Sequence, residues 1–85
     1  PKVLQKTDPA YTDAATKAKI QGTVLLDLEI SPEGFAQNVQ VARRLDPGLD
    51  ENAVFSVRQW RFQPGMKDGE PVTVAATIEI NFHLK

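Results

Sequence analysis

Val72-Thr73-Val74-Ala75-Ala76-Thr77-Ile78-Glu79-Ile80-Asn81-Phe82-His83-Leu84 alternates without a break. Val72, Val74, Ala76, Ile78, Ile80, Phe82 and Leu84 share one parity; Thr73, Ala75, Thr77, Glu79, Asn81, His83 and Lys85 share the other. Successive side chains of a strand point to opposite faces, so this period of two predicts a strand with one buried and one wet face. An ordinary strand has about five to six residues. One this long either overhangs its sheet or pairs with more than its nearest hairpin.

Working back along the chain, residues 23–30 repeat the pattern, with Val24, Leu26, Leu28 and Ile30 against Thr23, Asp27 and Glu29, and Leu25 as the misfit. Ser31-Pro32-Glu33-Gly34 follows, with proline at the second turn position and glycine at the fourth, which signals a hairpin. The return strand, residues 37–43, puts Val39 and Val41 on one face and Asn38, Gln40 and Ala42 on the other. Leu45-Asp46-Pro47-Gly48 then breaks the pattern. Asp50 reads as the N-cap of a helix with Glu51 in its first turn, where the helix dipole favours an acid. Leu49, Ala53, Val57 and Trp60 recur at spacings of four, four and three, with Val54 widening the stripe and Arg58 and Arg61 in the last turn. Pro64-Gly65 ends that helix, and residues 67–71 form a polar turn.

Upstream, residues 12–19 are rich in Ala and Lys, with Thr12 or Asp13 as cap and Gly22 beyond the end, which predicts a short helix. Tyr11 and Ile20 flank it and pin its ends to the core, with the tyrosine hydroxyl bonded to a nearby carbonyl. Residues 1–8 have no helical period and read as an extended arm whose Val3 and Leu4 pack on the domain.

The order helix, strand, strand, helix, strand, with each strand apolar on one face, predicts an α+β two-layer sandwich, both helices covering one face of a three-stranded sheet. The first two strands pair across the hairpin. A right-handed crossover through the second helix returns the last strand parallel to the second and beside the first. The last strand is then an edge with unpaired backbone groups, the kind of edge to which an extended peptide can add itself.

Composition narrows the function. A chain of 85 residues has room for one core and little room for an enclosed substrate cavity. Ten basic against eleven acidic residues give a net charge of −1, so neither nucleic acid nor an anionic membrane is favoured as partner. With no cysteine and one histidine, His83 on the wet parity, no metal site, thiol chemistry or cofactor site is expected. A nucleophile beside a base, or facing carboxylates, cannot be assembled either: Ser31 and Ser56 lie in a turn and a helix, and Asp27 and Glu29 line a wet face. No enzyme is expected. Trp60 and Phe62 read as packing anchors.

The succession Asp8-Pro9-Ala10-Tyr11, Gly22 with its alternating strand, the Gly34 hairpin and a helix closing on Trp60-Arg61-Phe62-Gln63-Pro64-Gly65 resembles the C-terminal domain of TonB-type energy transducers. The resemblance covers nearly the whole chain, residues 1–85, with residues 1–8 as the arm. It implies a periplasmic module, anchored in the inner membrane of a Gram-negative bacterium through an upstream segment and a proline-rich spacer. Such a module is driven by inner-membrane, proton-driven motor proteins and grips the N-terminal segment of outer-membrane transporters. Carried over, the partner-binding residues are Asp8, Pro9 and Ala10 together with Val72, Thr73, Val74, Ala75, Ala76, Thr77, Ile78, Glu79, Ile80, Asn81 and Phe82. The best-known members read Gln-Pro-Gln-Tyr-Pro where this chain reads Asp-Pro-Ala-Tyr-Thr, so both side-chain amides are missing. A homodimer through the edge strand is a further expectation. The alternative is a TonB-like accessory domain of another membrane protein, a sensor or peptidase, binding a different peptide or itself.

Overall fold

Bulges interrupt the pairing of the strand that returns from the Ser31–Gly34 turn, and the last strand pairs without one. In the computed structural model, which describes residues 2–84, the main sheet has three strands. The strands are β2 (Gly22–Ile30), β3 (Ala36–Arg43) and β7 (Val74–Phe82), in spatial order β3-β2-β7, and both neighbours run antiparallel to β2. The long last strand is therefore an edge, as its pattern and the crossover rule predict. The arm's expected start at Pro1 and the parity of Lys85 lie outside the described residues.

The hairpin between β2 and β3 closes as a turn with a left-handed glycine. Gly34 sits at φ +90° and its N–H donates to the Ser31 carbonyl at 2.9 Å, while Ser31 N–H donates to the Phe35 carbonyl at 2.8 Å. A Cβ at Gly34 would strike the Phe62 carbonyl oxygen, so only glycine lets the chain pass there. Farther along, the β2–β3 register shifts between Leu25 and Leu26 and again between Asp27 and Glu29, with Asn38 at φ +51° marking one bulge.

Helix α1 (Asp13–Lys17) is capped by Thr12, whose Oγ1 accepts from Ala15 N–H at 3.0 Å, and it is shorter than the expected residues 12–19. Lys19, at φ +56°, turns the chain out of the helix, so Gly22 is free to open β2. Tyr11 donates its hydroxyl to the Ile20 carbonyl at 2.9 Å, as expected, and its ring meets Phe82 edge-on at 5.5 Å.

Helix α2 (Pro47–Val57) departs from expectation at both ends. Its N-cap is Asp46, not Asp50: Asp46 Oδ2 accepts from Leu49 N–H at 3.1 Å and Pro47 takes the first helical position, where no N–H is needed. Asp50 is buried one turn in and its Oδ1 accepts from Leu45 N–H at 2.9 Å, closing the entry loop from the other side. The helix stops at Val57, before Trp60. Arg58 is its C-cap and Arg61 leaves it altogether, because the chain turns into β4 (Arg61–Phe62) to pair with β1 (Val3–Gln5). Pro64-Gly65 begins a small hairpin instead, in which β5 (Gly65–Lys67) pairs with β6 (Glu70–Val72) around an Asp68-Gly69 turn with φ +52° and +80°.

One core holds the layers together. Val24, Leu26, Leu28 and Ile30 of β2 and Ile80 and Phe82 of β7 are buried with Leu49, Ala53 and Val57 of α2, Ala15 of α1, Trp60 and Phe62. The last two are the packing anchors their spacing predicts. Each large side chain fully removed from water contributes roughly 1.5–3 kcal/mol. The arm does not join them: Val3 is 38% and Leu4 62% exposed, so the expected packing of both on the domain is replaced by backbone pairing with β4.

Candidate functional site

The β2–β7 ladder is regular from Gly22↔Phe82 to Ile30↔Val74, with no register shift over nine residues. Three observations fix which way its backbone groups point. Ser31 N–H donates toward the β3 side of the hairpin, which places every second residue back along β2 with its N–H toward β3 and the residues between toward β7. Leu84 N–H, of even number, donates to Gln21 Oε1 at 2.9 Å on the β2 side. The hydroxyls of Thr23 and Thr77 reach across to Asn81 Oδ1 at 2.6 Å and from Thr77 to Asp27 Oδ1 at 2.9 Å, as side chains do in the closer, non-hydrogen-bonded pairs. Ala75, Thr77, Glu79 and Asn81 therefore turn their N–H and C=O groups away from β2. Among the described residues this outer side of β7 has no strand partner.

The other expected site residues divide. Val72 is paired with Gly65 in the β5–β6 hairpin and Thr73 lies between the two strands, so the regular edge begins at Val74. Val74, Ala76 and Ile78 are half-buried and Ile80 and Phe82 buried, facing the helices, so their side chains form the inner wall. Asp8 and Pro9 share a narrow cleft of about 170 Å³ with Lys6, Trp60, Glu79, Ile80 and Asn81, so the two expected regions meet in space. Ala10 lies apart. Its carbonyl accepts from Asn52 Nδ2 at 2.7 Å, and it lines a separate hollow beside the exposed Phe55.

A larger cleft of about 700 Å³ runs along the β7 edge, between residues 77–79 and residues 3–6, with Trp60 between them. The arm is held at its far end by Thr7, whose carbonyl accepts from Ser56 Oγ at 2.7 Å and from Trp60 Nε1 at 2.9 Å. At its near end, Gln63 N–H donates to the Lys2 carbonyl at 2.7 Å. The sequence left open whether this arm covers the edge; it borders a cleft shared with residues 77–79. The available signal was a pair of apolar residues, Val3 and Leu4, in a segment with no core to enter. No cluster of acidic, histidine or cysteine side chains that could hold a metal occurs among the described residues, and no helix there is long and apolar enough to cross a membrane.

An α+β sandwich whose last strand is an edge in unbroken register, without a strand partner on its outer side among the described residues and beside a backbone-anchored arm, is the class this geometry defines. Residues 7–84 match the family described as the Gram-negative bacterial TonB protein C-terminal, and the chain belongs to that family. It is 30% identical over 82 residues to Protein TonB of Klebsiella pneumoniae, covering 95% of this chain and 33% of that protein. It is 32% identical over 84 residues to Protein TonB of Vibrio cholerae, covering 98% and 34%. The chain thus spans about a third of the length of these curated relatives. The fold is similar to the solution NMR structure of the Pseudomonas aeruginosa TonB CTD, with a TM-score of 0.81 and 26% identity over 99% of this chain and 86% of that one.

Proposed function

We propose that this domain is the periplasmic docking and force-coupling module of a TonB-type energy transducer, and that it receives the N-terminal segment of an outer-membrane transporter as an added strand on β7. It is a binding module and not an enzyme. Its pull comes from inner-membrane, proton-driven motor proteins, through an upstream anchor. The observation that carries this reading is the contrast between the two sheet edges. Bulges at Asn38 and beside Leu25 bend β3, whereas β7 keeps register throughout. A bulged edge resists pairing and a regular one invites it.

Strand addition suits the task. The outward residues Ala75, Thr77, Glu79 and Asn81 each offer one donor and one acceptor, and each bond made has a net worth of about 1 kcal/mol. Against the cost of association, such a ladder holds reversibly instead of permanently. A pull along the strand loads its bonds together in shear, so a weak ladder transmits force while it lasts. Asp8 and Pro9 border the same cleft and contact the segment near Asn81. The test is an NMR titration of isotope-labelled domain with a synthetic peptide copying a transporter's N-terminal segment. Shifts concentrated at residues 74–82 support the reading; shifts confined to β3 or the helices overturn it.

A further inference from the structure

We propose that β1 forms the second wall of the binding groove, so that an incoming extended segment is gripped on both edges, by β7 on one side and by the arm on the other. The proposal rests on the strand-addition reading above. A strand has two hydrogen-bonding edges, and β1 uses one of them on β4, with a register shift between Val3 and Gln5. Its residues 3–6 line the long cleft as a consecutive run, and so do residues 77–79 opposite. Leu4 sits at that shift, where strict alternation of faces is broken, and the whole run of residues 3–6 borders the cleft.

β7 and β1 border one gap, and among the described residues β7 has β2 and β1 has β4 as its one strand partner. The volume of about 700 Å³ is that of a ligand-sized site, for which roughly 300–1,000 Å³ is usual. The occupant this slot fits is one extended chain. Trp60 and Ile78 favour an apolar side chain facing inward, and Lys6 and Glu79 set opposite charges near the end where Asp8 and Pro9 begin. Alternate residues of the occupant would bond to β7 and to β1 in turn. Proline is therefore excluded at adjacent positions of both parities, since it has no N–H to give to either wall.

The experiment uses the whole chain and a synthetic peptide copying a transporter's N-terminal segment, with amide hydrogen exchange followed by NMR. The clamp predicts that peptide slows exchange at Thr77 and Glu79 on β7 and also at free-edge amides within residues 3–6. It further predicts that N-methylating the peptide on either parity weakens binding, each by roughly tenfold, about what losing one or two bonds costs. Leu4→Asp, at an exposed position, tests the wall without touching the core and should weaken binding by a similar factor. Protection on β7 alone, with Leu4→Asp binding as the parent does, overturns the clamp and leaves strand addition standing. Absence of new protection on β7 overturns strand addition, and the clamp with it. Protection of the arm's free edge before peptide is added would show the arm closed on β7, which also overturns the clamp.

Discussion

The indole Nε1 of Trp60 donates to the carbonyl oxygen of Thr7 at 2.9 Å, tying the extended arm to the turn that follows α2. The same oxygen receives the Ser56 hydroxyl, so one backbone carbonyl fixes the arm on the helix layer. The ring is itself buried, and the two roles separate by substitution. Trp60→Ala should cost about 3–5 kcal/mol through the cavity it leaves, a large part of a small domain's total stability. Trp60→Phe should cost less and loosen the arm, which keeps its bond from Ser56. Urea denaturation measures the first effect and exchange rates at residues 3–6 the second.

The direction of the β7 backbone predicts opposite outcomes for neighbouring prolines. At Thr77 the lost N–H is the outward one, so Thr77→Pro should stay folded by circular dichroism and lose most peptide affinity. Ile78→Pro removes a rung of the β2 ladder and should melt well below Thr77→Pro. Calorimetric binding of Thr77→Pro at parental affinity would reverse the assignment of outward groups.

Asp46 and Asp50 brace the start of α2 from both sides, so they should not be equivalent to ordinary surface acids. Asp46→Ala should cost about 0.5–2 kcal/mol, the usual worth of an N-cap. Asp50→Ala leaves the Leu45 N–H without its acceptor and should cost about 1–3 kcal/mol. Thermal melts of both variants check the pair.

A second copy would compete for the outer side of β7, and the arm, which borders the same cleft, would stand in its way. Self-association of the intact chain should therefore be weak and should increase when residues 1–6 are removed. Sedimentation velocity over a wide concentration range decides it. Equal dimerisation of both forms would show that the arm does not guard the edge.

The main sheet was legible because its signals are local and repeat: the parity of residues 72–84, the alternation after Gly22 and the turn residues at Ser31 to Gly34 each point to one geometry. Trp60 and Phe62 were legible as core for the same reason. The α2 boundary was misread because two aspartates four residues apart both suit a helix start, and only the position of Pro47 separates them. The pairing of Val3 with Phe62 joins residues far apart in sequence, and nothing periodic announces it. Nor did the alternation reveal that Thr73 divides the segment, since a strand and the hairpin arm before it share one parity.

The β1–β4 ladder is short, with Val3 opposite Phe62 and Gln5 opposite Arg61, whereas β2 and β7 are zipped along nine residues. A tug on the amino end of the domain meets that short ladder first. Beyond it, Thr7 is pinned to Ser56 and Trp60, so the arm can peel away as far as Lys6 while the sheet stays whole. Slack, the arm rests beside the cleft; taut, it would lift away, and a segment added along β7 as proposed above would lose that wall. In an optical trap this would read as a small, low-force, reversible extension well before the domain itself gives way.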